Sequence, residues 1–250
     1  MRASIIRTIV LGTVLFSGCS LSSPTDLPVQ VVGTGSHLLW VGNSYLYYND
    51  IPEMMQTLAD SAQGERVAIA VVAMPNFALV DHRNSGVAGA AITNGGWKWV
   101  ILQQGPSSVE ANRDTLRAMT QLFSADIKKG GGTPALFSAW PTSDRLQDFD
   151  RAIESYSLAA SDVSGILLPV AAAWKLAMQR DAALKLYDDG LHPSLDGAYL
   201  SALVVYSRLL GRDPRGLPKT FRLRNGRTVA INATTGTTLQ SVAAEVNGYK

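Results

Sequence analysis

The chain has 250 residues, with 22 lysines and arginines against 20 aspartates and glutamates and a formal net charge of +2. Arg2 and Arg7 supply that excess, and no basic run is interleaved with aromatics, so nothing attracts a polyanion and nucleic-acid binding is excluded as a leading reading. With 46% hydrophobic residues, the chain has ample material for one sizeable core.

The start carries Arg2 and Arg7 and no acid, then an apolar run from Ile9 to Phe16, broken only by Gly12 and Thr13, then Ser17-Gly18-Cys19. This order reads as a signal peptide, in a run too short for the roughly 20 apolar residues of a membrane span. Cys19 is the only cysteine, so no internal disulfide can form. Leu15-Phe16-Ser17-Gly18-Cys19 resembles a bacterial lipobox, with Phe16 where leucine is commoner. The resemblance implies that Cys19 is diacylated, becomes the mature N-terminus and anchors the chain to a membrane of the cell envelope. Ser20, rather than an aspartate, implies an outer-membrane destination in a Gram-negative host. The alternative is an ordinary signal peptide with an incidental cysteine.

Residues 20–35 are rich in Ser, Pro, Thr and Gly and read as a tether, since they hold too little apolar surface to offset ordering entropy. Residues 36–250 fit one domain. His37 to Val41 is a strand candidate closed by Gly42. Ile51, Met54, Met55, Leu58 and Ala62 mark a helix with an expected capping box from Asp50 and Glu53. Val67 to Ala73 is a second strand. Trp99 to Leu102 is a third, apolar throughout, as a strand buried on both faces should be. Leu116, Met119, Leu122, Phe123 and Ile127 give a helix ending at Lys128-Lys129-Gly130, where cations and glycine are favoured. Ala135 to Trp140 reads as a strand, Leu146 to about Leu158 as a helix, Gly165 to Val170 as a fifth strand and Ala171 to about Arg180 as a helix. A long helix from Leu195 to Leu210 is capped by Ser194 and stopped by Gly211 and Pro214. The tail predicts a hairpin from Arg222 to Val229 around Asn225-Gly226, then a helix near Thr238 to Val246. Strands alternating with helices predict βαβ units and an α/β fold, a parallel sheet with helices on both faces.

Ligands of open parallel sheets bind beyond the carboxyl ends of the strands, and three segments fall there. Gly42-Asn43-Ser44 follows the first strand and places a hydroxyl at that edge, though loop and capping chemistry would also explain it. Asp189-Gly190-Leu191-His192-Pro193 precedes the last long helix. A serine nucleophile needs a base for its proton, and the base needs a carboxylate to fix its tautomer; Asp189 and His192 supply both on one short loop. Gln103-Gln104-Gly105-Pro106-Ser107 ends the third strand with amides able to serve a developing oxyanion, or is simply a polar turn.

These blocks resemble the SGNH (GDSL-like) serine hydrolases, with Gly42-Asn43-Ser44 as the first block and the Asp-x-x-His-Pro block at Asp189 to Pro193. The resemblance covers Leu38 to about Leu210 and implies a three-layer αβα sandwich on a flavodoxin-like parallel sheet of about five strands. It implies a serine esterase with Ser44 as nucleophile, His192 as base and Asp189 as its orienting acid, acting on an acyl or acetyl ester of a glycan or lipid, without cofactor. Two middle blocks depart from the family pattern. After the second strand the chain has Met74-Pro75-Asn76-Phe77, so Asn76, by backbone or side chain, stands in for the oxyanion glycine. After the third, Gln103 is the preferred donor beside the Ser44 N–H, while an ungapped alignment uses Gly105 and Ser107 instead. His82 reads as a structural loop residue and His37 as incidental. The tryptophans read as core, with Trp140 and Trp174 able to line a cleft. Three scattered histidines and one acylated cysteine do not make a zinc site. No Gly-x-Ser-x-Gly elbow, P-loop or dinucleotide glycine pattern occurs. The alternative function is a non-catalytic envelope lipoprotein using the same fold to bind glycans or assist assembly.

Overall fold

The computed structural model describes residues 29–250; the leader, Cys19 and the first part of the tether lie outside them. Among the described residues the main sheet has six strands: β1 (Val32–Gly33), β2 (Ser36–Gly42), β3 (Val67–Ala73), β4 (Trp99–Leu102), β5 (Thr133–Phe137) and β6 (Ile166–Leu168). Their spatial order is β1-β3-β2-β4-β5-β6, parallel throughout except for β1. The five parallel strands thus run in the flavodoxin-like order 2-1-3-4-5, and the topology reverses at β2.

Leu38 to Val41 are fully buried, with no alternation of exposure, because helices cover both faces of the strand. On one side α2 (Ile51–Ser61), α7 (Val170–Arg180), α8 (Leu195–Leu210) and α9 (Ala233–Val246) pack together. On the other are α3 (Leu79–Ser85), α4 (Val87–Thr93), α5 (Glu110–Lys129) and α6 (Phe149–Asp162). The short α1 (Ser44–Tyr47) sits at the carboxyl end of β2. Helix α8 starts where Ser194 Oγ accepts from Gly197 N at 3.1 Å and ends at Gly211, whose φ is +63°.

Several boundaries differ from the sequence expectations, each for a local reason. Val32 and Gly33 lie in the expected tether yet pair with Ile69 and Ala68, so sheet begins before Ser36. The Asp50–Glu53 capping box does not form. Asp50 has φ +55° and no cap bond; its carboxylate lies 3.0 Å from Arg227 Nη2, and Glu53 accepts from Arg224 N. Strand β5 stops at Phe137, before Trp140, and β6 is shorter than expected because Val170 already belongs to α7. Helix α9 begins earlier than Thr238, since Asn232 caps Thr234 N and Thr235 N. The hairpin forms from β7 (Thr220–Arg222) and β8 (Thr228–Ala230).

Candidate active site

The reversal of topology at β2 leaves a crevice at the carboxyl edge, and the chain enters it through Gly42-Asn43-Ser44. Gly42 is required sterically: a Cβ there would collide with the Gln103 side chain and with Leu46. Asn43, only 6% exposed, is held on every polar atom of its side chain. Its Oδ1 accepts from Tyr45 N at 3.2 Å and Gln103 Nε2 at 3.1 Å, and its Nδ2 donates to Phe77 O at 2.9 Å. Ser44 is therefore the first residue of a helical turn whose entry is fixed from three sides. Its own N–H has no protein acceptor among the described hydrogen bonds.

The carboxylate and the imidazole arrive from the far end of the sequence. Asp189 Oδ1 accepts from Leu191 N at 3.0 Å and His192 N at 2.7 Å, and Oδ2 meets His192 Nδ1 at 2.7 Å. His192 Nε2 faces Ser44 Oγ at 2.9 Å. The bond from the imidazole and the two backbone N–H groups hold the Asp189 carboxyl at about 2, below its ordinary 3.8. Asp189 is thus an anion at neutral pH, which assigns the neutral imidazole its proton on Nδ1 and leaves Nε2 to accept from the serine.

The loop itself is braced by neighbours that sequence reading did not find. Trp140 Nε1 donates to Leu191 O at 3.0 Å, and Ser143 N to Gly190 O at 2.8 Å. Gly190 has φ +86°, and a Cβ would press on Ser143 Oγ at 2.8 Å. Asn49 Nδ2 donates to Pro193 O at 2.8 Å, while Arg227 Nη1 donates to Asn49 Oδ1 at 2.7 Å. The hairpin of the tail therefore supports the histidine loop through Asn49. Asn49 and Arg227 stand 178 positions apart, and no local pattern could have linked them.

Several expected roles change. Gln103 is fully buried: its Oε1 accepts from Asn43 N at 2.9 Å, and its amide hydrogens go to Asn43 Oδ1 and, at 2.6 Å, to Gln104 O. With both hydrogens engaged it has none to aim at an oxyanion, and it acts as the brace of Asn43. Trp140 and Trp174 line no cleft: both are fully buried, their rings stacked at 3.7 Å beneath the histidine loop. Ser107, from the ungapped alignment, is equally engaged, with its Oγ on Gln104 Nε2 and Gly105 O. Asn76 stays exposed, at φ +60° in a turn where Phe77 N bonds Met74 O at 3.3 Å, the pattern of Pro then Asn in a type II turn. That turn is tied to the nucleophile by the bond from Asn43 to Phe77 O. His82 lies in α3 rather than a loop, fully buried, with Nε2 on Gly42 O at 2.7 Å. Burial lowers its pKa and keeps it neutral, a structural part. His37 opens β2, beside Trp97.

No family model and no curated protein sequence matches the chain. Solved structures do. A protein described as a candidate SGNH hydrolase from Slackia heliotrinireducens is 25% identical, with a TM-score of 0.60, over 70% of this chain and 100% of that one. A DUF4886 family protein from Bacteroides uniformis has a TM-score of 0.70 at 16% identity, covering 87% of this chain and 98% of its own. A catalytic mutant of an acetylxylan esterase from Geobacillus stearothermophilus has a TM-score of 0.53 at 12% identity, over 75% and 97%. The chain has the SGNH hydrolase fold, and its likeness is to SGNH and GDSL-like hydrolases.

Proposed function

We propose that this protein is a serine esterase working through an acyl-enzyme on Ser44. The observation that carries the reading is the continuous line Asp189 Oδ2–His192 Nδ1 at 2.7 Å and His192 Nε2–Ser44 Oγ at 2.9 Å, both at the reach that proton transfer needs. Ser44 Oγ adds to the ester carbonyl carbon as His192 Nε2 takes its proton. The oxyanion meets the free N–H of Ser44 and the amide of Asn76, by backbone or side chain. Collapse expels the alcohol, which receives its proton from His192. Water then attacks the acyl-enzyme with His192 as base, releasing the carboxylic acid and restoring Ser44. Asp189 stays ionised throughout and stabilises the imidazolium between the two proton transfers.

The substrate is an acyl or acetyl ester on a glycan or lipid, and the likeness to an acetylxylan esterase supports the acetyl–glycan case. Placement in the cell envelope, through a lipid on Cys19, rests on the resemblance of Leu15 to Cys19 to a lipobox. The engagement of Gln103 favours one second reading, a binding module that kept the fold and lost part of its oxyanion hole.

The test is hydrolysis of p-nitrophenyl acetate and butyrate by the chain lacking residues 1–19, beside Ser44→Ala, with fluorophosphonate labelling. Turnover and labelling that both vanish in the variant establish the esterase. Equal background from both proteins, with Ser44 unlabelled, selects the binding module.

A further inference from the structure

Tyr48 follows α1 directly, and the ester mechanism leaves it without a task. Its ring lies flat on the His192 imidazole, centroids 4.3 Å apart and planes 9° from parallel. Its hydroxyl donates to Asp188 Oδ2 at 2.6 Å. The residue remains 41% exposed, so burial does not account for the placement. Local geometry does: Tyr48 N bonds Ser44 O at 3.0 Å, and residues four apart share a helix face, so the turn that presents the nucleophile also presents the ring.

Ser44 and Asp189 contact the two ring nitrogens, at the edge of the imidazole. Tyr48 covers a face. When Nε2 takes the serine proton the imidazole becomes a cation, and an aromatic face attracts cations through its quadrupole. A phenol donating to a carboxylate keeps its ring electron-rich. Hydrogen bonds and the stacked ring bring groups to His192 from three elements, with the Tyr45 hydroxyl of α1 also close enough to feel the Asp189 charge. Its own loop brings Asp189 at Nδ1 and Asp188, whose N–H donates to His192 O at 3.0 Å and whose carboxylate holds the Tyr48 hydroxyl. Helix α1 brings Ser44 and, just past its end, Tyr48. The segment after β5 brings the uncharged Trp140 and Ser143, onto Leu191 and Gly190. Arg227, just before β8, reaches Asn49 and Asp50 rather than the ring.

We propose that Tyr48 is a positioning residue: it holds the His192 ring against its own face and favours the protonated form at the step where Ser44 gives up its proton. The assignment rests on the reading of Ser44 and His192 as the catalytic pair.

The experiment is an NMR titration of the His192 ring in the mature chain, assigned against His192→Ala, for the native protein and for Tyr48→Leu, Tyr48→Phe and Tyr48→Trp. The pH profile of kcat/KM is recorded beside it. Tyr48→Leu removes the face, and its His192 midpoint moves down by about half a pH unit, the size expected of an exposed cation–π contact. Its kcat/KM falls about two- to fivefold, with the acid limb moving the same way. Tyr48→Phe keeps the face and frees the Asp188 carboxylate, so its midpoint stays at or above the native one. Tyr48→Trp offers a stronger face, does not fall below the native midpoint, and keeps the test alive if the leucine variant folds poorly. An unchanged midpoint in Tyr48→Leu overturns the proposal. So does a fall in Tyr48→Phe as large as that in Tyr48→Leu, which would give the effect to the hydroxyl. The titration needs no turnover: failure of Ser44 to label sinks the esterase while the midpoints still decide the stack.

Discussion

Two loops meet at the carboxyl edge of the sheet, one after β4 and one before α8, and both offer polar groups to the nucleophile. Gln103 and Gln104 are buried, at 0% and 3% exposure, and nearly all their hydrogen-bonding capacity is spent inside the protein. Gln104 Oε1 accepts from Leu79 N, its Nε2 donates to Ser107 Oγ, and its backbone N–H donates to the Tyr156 hydroxyl. The Asp188 to Pro193 loop is the opposite. Asp189 keeps 47% of its side chain exposed and His192 18%, and the loop is held by its backbone carbonyls, which Trp140, Ser143 and Asn49 secure. The first loop is rigid because its side chains are used up. The second has side chains to spare because its backbone is tied from outside. A polar residue at a site edge serves chemistry only when its hydrogen bonds are not already committed to the fold.

The sharpest way to break this contrast is at its centre. Ser44→Ala is expected to abolish ester turnover, a loss of about 10^4-fold or more, while leaving thermal stability close to native. Residual Ser44-independent turnover above background would remove the reacting group from this edge. Asp189→Asn comes next, with kcat falling by about 10^3- to 10^4-fold because the imidazole loses its fixed tautomer. The pH dependence follows from the sign of the shift. A carboxyl held at about 2 against an ordinary 3.8 contributes stability that is complete above the ordinary value and is lost as pH falls through the folded one. Denaturation midpoints of the native chain should therefore drop more steeply than those of Asp189→Asn between about pH 4 and pH 2, and parallel curves would contradict the placement.

In the buried loop the order of effects reverses. Gln103→Ala strands the buried Asn43 N–H and leaves Asn43 Oδ1 only Tyr45 N and Gln104 O only the Tyr156 hydroxyl, and should cost about 1–3 kcal/mol of stability for the unpaired group, more than Ser44→Ala. A Gln103→Ala protein of native stability with selectively impaired kcat would return Gln103 to the oxyanion and erase the distinction between the loops. The smallest effect belongs to the outer brace. Arg227→Ala releases Asn49 and should lower kcat severalfold, with about 1 kcal/mol lost in stability, as suits a partly exposed charged hydrogen bond. An Asn49→Ala protein should lower kcat in the same way, and the double variant should lose less than the sum of the two, because they share one bond while Arg227 also pairs with Asp50.

The legible parts of this molecule are those whose cause is local. Trp99 to Leu102 reads as a strand buried on both faces because four apolar residues in a row allow little else, and it is one. Ser194 and Gly211 bound α8 because capping is decided within a few residues of the helix end. Asp50 and Glu53 carry the same kind of signal and mislead, since Arg227 and Arg224, from a hairpin late in the chain, take both acids away. Trp140 extends an apolar run and so prolonged the expected strand, yet its task is to stack on Trp174 and hold Leu191 O. The brief helices α3 and α4 lack the stripe that longer ones show, and no periodicity announced them.

By itself the sequence determined the alternating architecture and, through short blocks that resemble a known family, pointed to three residues, Ser44, Asp189 and His192, for one edge of the sheet. Those follow from patterns and spacings of short range. The tertiary structure alone decided that Gln103 braces Asn43, that Tyr48 lies on His192, and that the tail reaches the histidine loop through Arg227 and Asn49. Each of these depends on which hydrogen bonds are already taken and which faces already meet, and that is settled only when segments far apart in the chain are packed against one another.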